Sequence, residues 1–332
     1  MSDKPSRTVP PPQQVERPNP LSRLLSQESV LFVLLVIITI VLAQFNDNFL
    51  SRQNLLNQSR LLSEVGLVAL PMTYIIITGG IDLSVGSILG LSAILLGYSW
   101  QTWNLPLPLA IVTALLVGGT AGFLNGLCIV RMKVPPLIMT LAGLAFYRGL
   151  AQGISQARSV TGYPDWFLFI AQGSILGLPT QLWVFVIMAV LSVITLQRTV
   201  LGRSLYALGH NAVGARFSGL PVGRVLLTIY TFSGLMAGLA AVIFVSRVTT
   251  TRSDMGTGLE LDVIAAVVLG GTSIFGGKGS IIGTLIGLVF IQLLKNGLAL
   301  MGVTSDATTI VIGSALIVAI LLNNLVQAAR NR

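Results

Sequence analysis

Gly277-Lys278-Gly279-Ser280 is the stretch of this chain nearest to a phosphate-binding loop. That loop needs Gly at 272 and Ser or Thr at 279, after a buried strand. Thr272 and Gly279 stand there instead. Nucleotide binding by that route is excluded. The other reactive groups are sparse. His210 has no second histidine near it, and Cys128, the single cysteine, lies within an apolar run. Neither has metal-site spacing. No HExxH, GxSxG or CxxC occurs. No catalytic residue, metal or cofactor is expected.

The informative polar residues lie inside or beside apolar runs. Asp82 stands in Thr78-Gly79-Gly80-Ile81-Asp82-Leu83-Ser84-Val85-Gly86. A charge at membrane depth is costly and faces a cavity or a partner. Two readings of this stretch stay open: a broken helix lining a path, or a turn with Asp82 as N-cap of the next helix. They agree if the turn is tucked into the protein. Asn125, Arg148, Glu260, Asp262, Lys295 and Asn296 complete the set. Arg148 and Lys295 have stems long enough to snorkel. The candidate path or gate residues are Thr78, Gly79, Gly80, Asp82, Ser84, Gly86, Asn125, Asp262 and Asn296. Lined by Gly, Ser, Thr and Asn, such a path suits an uncharged polyhydroxylated solute. The spans hold no chain of Asp, Glu or His, which argues against a proton-driven carrier.

The elements that position these residues are membrane spans. Of the 332 residues, 53% are hydrophobic and 9% charged, against about 25% charged in a soluble domain. Apolar runs of spanning length fall at about 29–45, 61–79, 83–100, 107–130, 136–153, 179–197, 225–246, 260–275, 280–300 and 308–326. The eighth is short, and Pro71 interrupts the second. The fold expected is all-α and polytopic, with about ten helices, some broken at Gly-rich segments. The domains expected are a disordered, Pro-rich tail over 1–28, a transmembrane domain over 29–326 and a short tail over 327–332.

Charge sets the orientation. The net charge is +9. With ten spans, Arg131, Lys133, Arg198, Arg203, Arg216, Arg224, Lys278 and the terminal Lys and Arg residues fall on one side; Arg52, Arg60, Arg158, Arg247 and Arg252 fall on the other. The richer side is cytoplasmic. Both termini are then cytoplasmic, and the basicity marks a lipid bilayer rather than nucleic acid. Residues 154–178 form a long outer loop. Residues 198–224 form a long inner one, with one or two short amphipathic helices, Asn211 as an N-cap and Gly219 as a C-cap. Arg247, Arg252 and Asp254 fall in one outer loop and are the candidate docking charges. A faint internal repeat pairs Ile76-Ile77-Thr78-Gly79-Gly80 with Val267-Val268-Leu269-Gly270-Gly271, and Gly86-Ser87-Ile88-Leu89-Gly90 with Gly279-Ser280-Ile281-Ile282-Gly283.

Three segments together resemble the ribose-type permeases of bacterial ABC importers. They are Gly79-Gly80-Ile81-Asp82-Leu83-Ser84-Val85-Gly86, then Gly202-Arg203-Ser204-Leu205-Tyr206-Ala207-Leu208-Gly209 with Ser218-Gly219-Leu220-Pro221-Val222, and finally Gly258-Leu259-Glu260-Leu261-Asp262 running to Gly270-Gly271-Thr272-Ser273. The likeness runs from about residue 29 to 325, without the proline-rich tail. It implies a permease subunit that pairs with a second one, alike or different, and that works with a periplasmic sugar-binding protein and a separate ATP-binding subunit. The second segment matches the family's loop that docks onto the ATPase. On this chain that assigns Arg203, Leu205, Ala207, Leu208, Gly209, Asn211, Ala215, Phe217 and Gly219 to coupling. The solute implied is a monosaccharide of the ribose, xylose, arabinose, galactose or rhamnose class. Autoinducer-2 is the alternative, and an ATP-independent secondary carrier is a third reading.

Overall fold

The computed structural model describes residues 27–156, 158–314 and 317. The expected tails, most of 1–28 and all of 327–332, lie outside them, as does much of the run at 308–326. The described chain is almost wholly helical: α1 (Gln27–Phe45), α2 (Arg52–Ile77), α3 (Val85–Gln101), α4 (Leu107–Arg131), α5 (Pro136–Ser155), β1 (Val160–Thr161), α6 (Asp165–Gln172), β2 (Ser174–Ile175), β3 (Leu178–Pro179), α7 (Thr180–Arg198), α8 (Val200–His210), α9 (Ala212–Phe217), α10 (Val222–Val248), β4 (Thr250–Thr251), α11 (Leu259–Leu269) and α12 (Ile281–Leu300). This is an all-α polytopic membrane protein.

Six of these helices, α2, α4, α5, α7, α10 and α12, are long and apolar enough to cross a membrane; Leu31–Phe45 and α3 are shorter apolar helices. The expected run at 260–275 is not a full span. Its helix has 11 residues, about 16 Å of rise, because Gly270 and Gly271 end it. Nor does Pro71 interrupt the second run. α2 passes through it unbroken and starts at Arg52, as membrane helices tolerate where neighbours cover the freed backbone.

α2 and α10 form the centre. From Gly66 to Ile77 every residue of α2 is buried. α4 and α10 approach most closely. A β-carbon on Gly122 would strike the carbonyl of Tyr230, and one on Gly234 the carbonyl of Gly118. Without water to drive helices together, such small-residue contacts and their dispersion energy hold membrane helices. The outer faces carry the apolar exposure: Phe32, Ile37 and Ile40 on α1, Leu109 and Leu116 on α4, Ile138 and Phe146 on α5, Ile187 and Val190 on α7. These are lipid-facing sides.

Contacts define the two ends. At one, β1 pairs antiparallel with β4, Val160 opposite Thr251. There Asn46 Nδ2 also donates to the carbonyl of Leu300, at 3.2 Å. At the other lie α8, the end of α2 and the start of α12.

Candidate functional site

Two helical hairpins, α2–α3 and α11–α12, are each broken by a non-helical stretch, and the breaks share a backbone design. Gly79 has φ +81° and Gly271 φ +94°, a left-handed conformation that glycine adopts freely. Behind each, the next amide reaches back over the helix end: Gly80 N–H to the carbonyl of Ile75 at 3.0 Å, and Thr272 N–H to that of Val267 at 3.2 Å. This is the six-to-one closure of a helix C-terminus. Gly79 therefore corresponds to Gly271, one residue away from the register in which Gly79 faces Gly270. The second pairing fails as well. Gly86 lies within α3, whereas Gly279 precedes α12; the matching residues are the N-cap positions Ser84 and Ser280.

The breaks touch. Gly277 N–H donates to the carbonyl of Ile77 at 2.9 Å. α8 lies over this junction. Tyr206 Oη donates to the carbonyl of Gly279 at 2.7 Å. Gly209 packs so closely on the carbonyl of Ile77 and the amide of Gly277 that no β-carbon fits. The ring of His210 lies beside Gly277.

Above the first break a polar network is sealed in the core. Asp82 is fully buried. Its Oδ1 accepts from Ser84 N–H at 3.0 Å and Ser84 Oγ at 2.6 Å, and its Oδ2 from Ser233 Oγ of α10 at 3.1 Å. Asn125 Nδ2 of α4 donates to Ser84 Oγ at 2.8 Å, and Tyr147 Oη of α5 to Asn125 Oδ1 at 3.0 Å. The network ties the break to three neighbouring helices. Ser84, not Asp82, holds the N-cap position of α3, and it makes no side-chain cap bond. Asp82 braces the turn two residues earlier. Thr78 caps the end of α2, its Oγ1 donating to Ile75 O at 2.7 Å.

The other expected path residues are elsewhere. Asp262 of α11 pairs with Lys295 of α12 at 2.5 Å, so Lys295 does not snorkel. Asn296 exchanges amide hydrogen bonds with Asn54 at 2.8 and 3.0 Å. Neither joins the Asp82 network.

Arg247 is corrected. It lies in the last turn of α10 rather than in a loop. Its Nε and Nη2 bind both oxygens of Glu64, at 2.5 and 3.1 Å, and Glu64 is 3% exposed. The sequence reading passed over Glu64, although a lone carboxylate in an apolar run was signal enough. Arg252 and Asp254 form an exposed ion pair with each other. Arg148 does not snorkel either. Its guanidinium donates to the carbonyls of Ser253, Met255 and Gly86 at 2.5, 2.8 and 3.3 Å.

The loop between α7 and α10 forms two short helices, where its sequence predicts one or two. Asn211 caps α9, accepting from Gly214 N–H at 2.8 Å, and Gly219 follows with φ +80°. The loop has two faces. Leu205, Leu208 and Ala215 are buried against this chain, and Ala207 is half-buried. Arg203, Asn211 and Gly219 are exposed. So are Val213 and Phe217, at 65% and 89%. The buried face holds the breaks, and the exposed face is free to meet a partner.

The family described as branched-chain amino acid transport system / permease component matches residues 54–321. The ribose import permease protein RbsC of Bacillus subtilis strain 168 is 41% identical over 295 residues, 88% of this chain and 90% of that protein. The autoinducer 2 import system permease protein LsrD of Escherichia coli strain K12 is 38% identical over 299 residues, again 88% and 90%. LsrD of Shigella flexneri has the same figures. No solved structure matches this chain.

Proposed function

This chain belongs to the branched-chain amino acid transport system / permease component family, and on that premise we propose that it is the membrane-spanning permease subunit of a binding-protein-dependent ABC importer for a monosaccharide. The observation that carries the mechanism is α8 seated over the joined breaks, with α9 exposing Val213 and Phe217 beside it. A separate ATPase drives the cycle. Its groove takes the exposed face of α9, and α8 passes the displacement to both hairpins at Ile77, Gly277 and Gly279. Apolar exposure on a loop at the end of the bundle fits a protein partner better than water.

The richer Lys and Arg content of the α8 end supports a cytoplasmic placement for that end and for both termini, in the bacterial inner membrane. A periplasmic sugar-binding protein meets the β-paired end, and a second permease subunit completes the path. Autoinducer-2 is the second solute reading, favoured by the 38% identity to LsrD. A sugar path needs no fixed charge, and the first break offers none to water because Asp82 is sealed.

Proteoliposomes test this. With the ATPase subunit, the binding protein and internal ATP, they are expected to accumulate labelled monosaccharide. Accumulation driven by an ion gradient without the ATPase would replace the reading with a secondary carrier.

A further inference from the structure

The residues between β4 and α11 run inward along α3. Thr251 lies against Gly97, Ser253 and Met255 against Gly90, and Gly256 against Gly86. Gly97 to Gly86 is about 16 Å along a helix. The segment therefore descends from the β-paired end to the level of the first break. It is a run of turns, with Met255 N–H on the carbonyl of Arg252 at 3.3 Å and Thr257 N–H on that of Asp254 at 3.2 Å. Irregular backbone at membrane depth persists only where protein or water satisfies it. Arg148 supplies this, binding two carbonyls of the segment and one of α3. Its planar fork bridges the two segments in a way a lysine cannot. At the crossing below, a β-carbon on Gly86 or on Gly256 would strike the other's carbonyl.

The Arg252–Asp254 ion pair sits on this descending stretch, its side chains 62% and 57% exposed. Facing hydrocarbon, such a pair would be costly; charged groups at this depth face a water-filled cavity. The pair begins one residue beyond β4, and its neighbours Ser253 and Met255 already lie against Gly90 of α3.

We propose that residues 251–258 form a constriction of the translocation path, with Arg252 and Asp254 turned toward the solute and Arg148 as the positioning residue that holds the constriction against α3. This rests on the importer reading above. A paired cation and anion present donors and acceptors to an uncharged polyol at no net charge. Arg148 touches no solute; it sets the position of the groups that do.

The test uses the full importer in proteoliposomes, with Cys128→Ala and a single Thr257→Cys. A charged, membrane-impermeant thiol reagent added outside is expected to label Thr257→Cys and to block uptake. Adding Arg148→Lys is expected to raise the labelling rate about tenfold, the size of one charge-assisted hydrogen bond. It should also lower solute moved per ATP hydrolysed, at unchanged assembly with the ATPase. A merely structural Arg148 would change the amount of complex and leave that ratio alone. An unreactive Thr257→Cys overturns the proposal, and so does Arg148→Lys with unchanged labelling and ratio. Should Arg148→Lys fail to accumulate, the Thr257→Cys labelling decides alone. A wild-type chain without ATP-driven uptake is the separate failure of the importer reading, and the labelling still tests whether the segment faces water.

Discussion

The amide of Gly277 donates to the carbonyl of Ile77 at 2.9 Å, so the breaks of two hairpins from opposite parts of the chain are one hydrogen-bonded junction. α8 covers that junction through Tyr206, Gly209 and His210. A displacement of α8 must therefore move both hairpins or break a buried contact. This separates two kinds of variant in the same loop.

Gly209→Asp is expected to fail inside the chain, because the new side chain meets the carbonyl of Ile77. Uptake should be lost through disturbed breaks. Phe217→Asp should instead lose the partner, since Phe217 is 89% exposed. Desolvating a phenylalanine contributes about 1.5–3 kcal/mol, so affinity for the ATPase should fall roughly ten- to a hundredfold. Titration of the ATPase onto purified permease distinguishes them. Equal affinity for wild type and Phe217→Asp would remove α9 from the contact.

Glu64→Gln should be strongly destabilising. It leaves the Arg247 guanidinium without its anion in a largely buried setting, at a cost of about 3–5 kcal/mol. A double variant, Glu64→Leu with Arg247→Met, should recover much of the loss, because an apolar pair avoids the desolvation cost. Thermal unfolding in detergent checks both. A Glu64→Gln melting temperature equal to wild type would show that the pair contributes nothing.

Asp82→Ala should leave the hydroxyls of Ser84 and Ser233 without their acceptor in a site closed to water. Each such loss costs about 1–3 kcal/mol. Asp82→Asn keeps one oxygen acceptor and should fall between wild type and Asp82→Ala. Uptake and unfolding temperature measured together check the order, and Asp82→Ala ranking with wild type in both would contradict it.

Much of this was legible in the chain. Apolar runs located the helices because lipid demands length and hydropathy. The Gly-rich break at 78–86 and the cap at Asn211 were legible, since both are local backbone chemistry. Partners were not legible. Nothing near Arg247 in sequence points to Glu64, nothing near Arg148 points to Ser253, and nothing near Tyr206 points to Gly279. Each pairing depends on helix packing across the bundle. The first pairing of the repeat was misread by one residue because Gly270 and Gly271 are identical as letters, and their backbone conformations separate them. The short helices of the 198–224 loop were legible, but its two faces come from α8 lying on the breaks.

Orientation has a direct readout. In a Cys128→Ala background, single cysteines in 154–178 should react with an impermeant thiol reagent from outside, and cysteines in 203–222 should not. Outside labelling at position 213 or 217 would place α9 on the wrong side for an ATPase.

The central claim is that a separate ATPase works the joined breaks through α8. It is tested most directly by the number of solute molecules moved per ATP hydrolysed in Tyr206→Phe. That change removes the hydroxyl donated to Gly279 and leaves the exposed face of α9 as it was. Net, a hydrogen bond contributes about 0.5–1.5 kcal/mol, so the ratio should fall roughly two- to tenfold, with ATPase binding and hydrolysis retained. A Tyr206→Phe importer that binds its ATPase and moves as much solute per ATP as wild type would contradict the account.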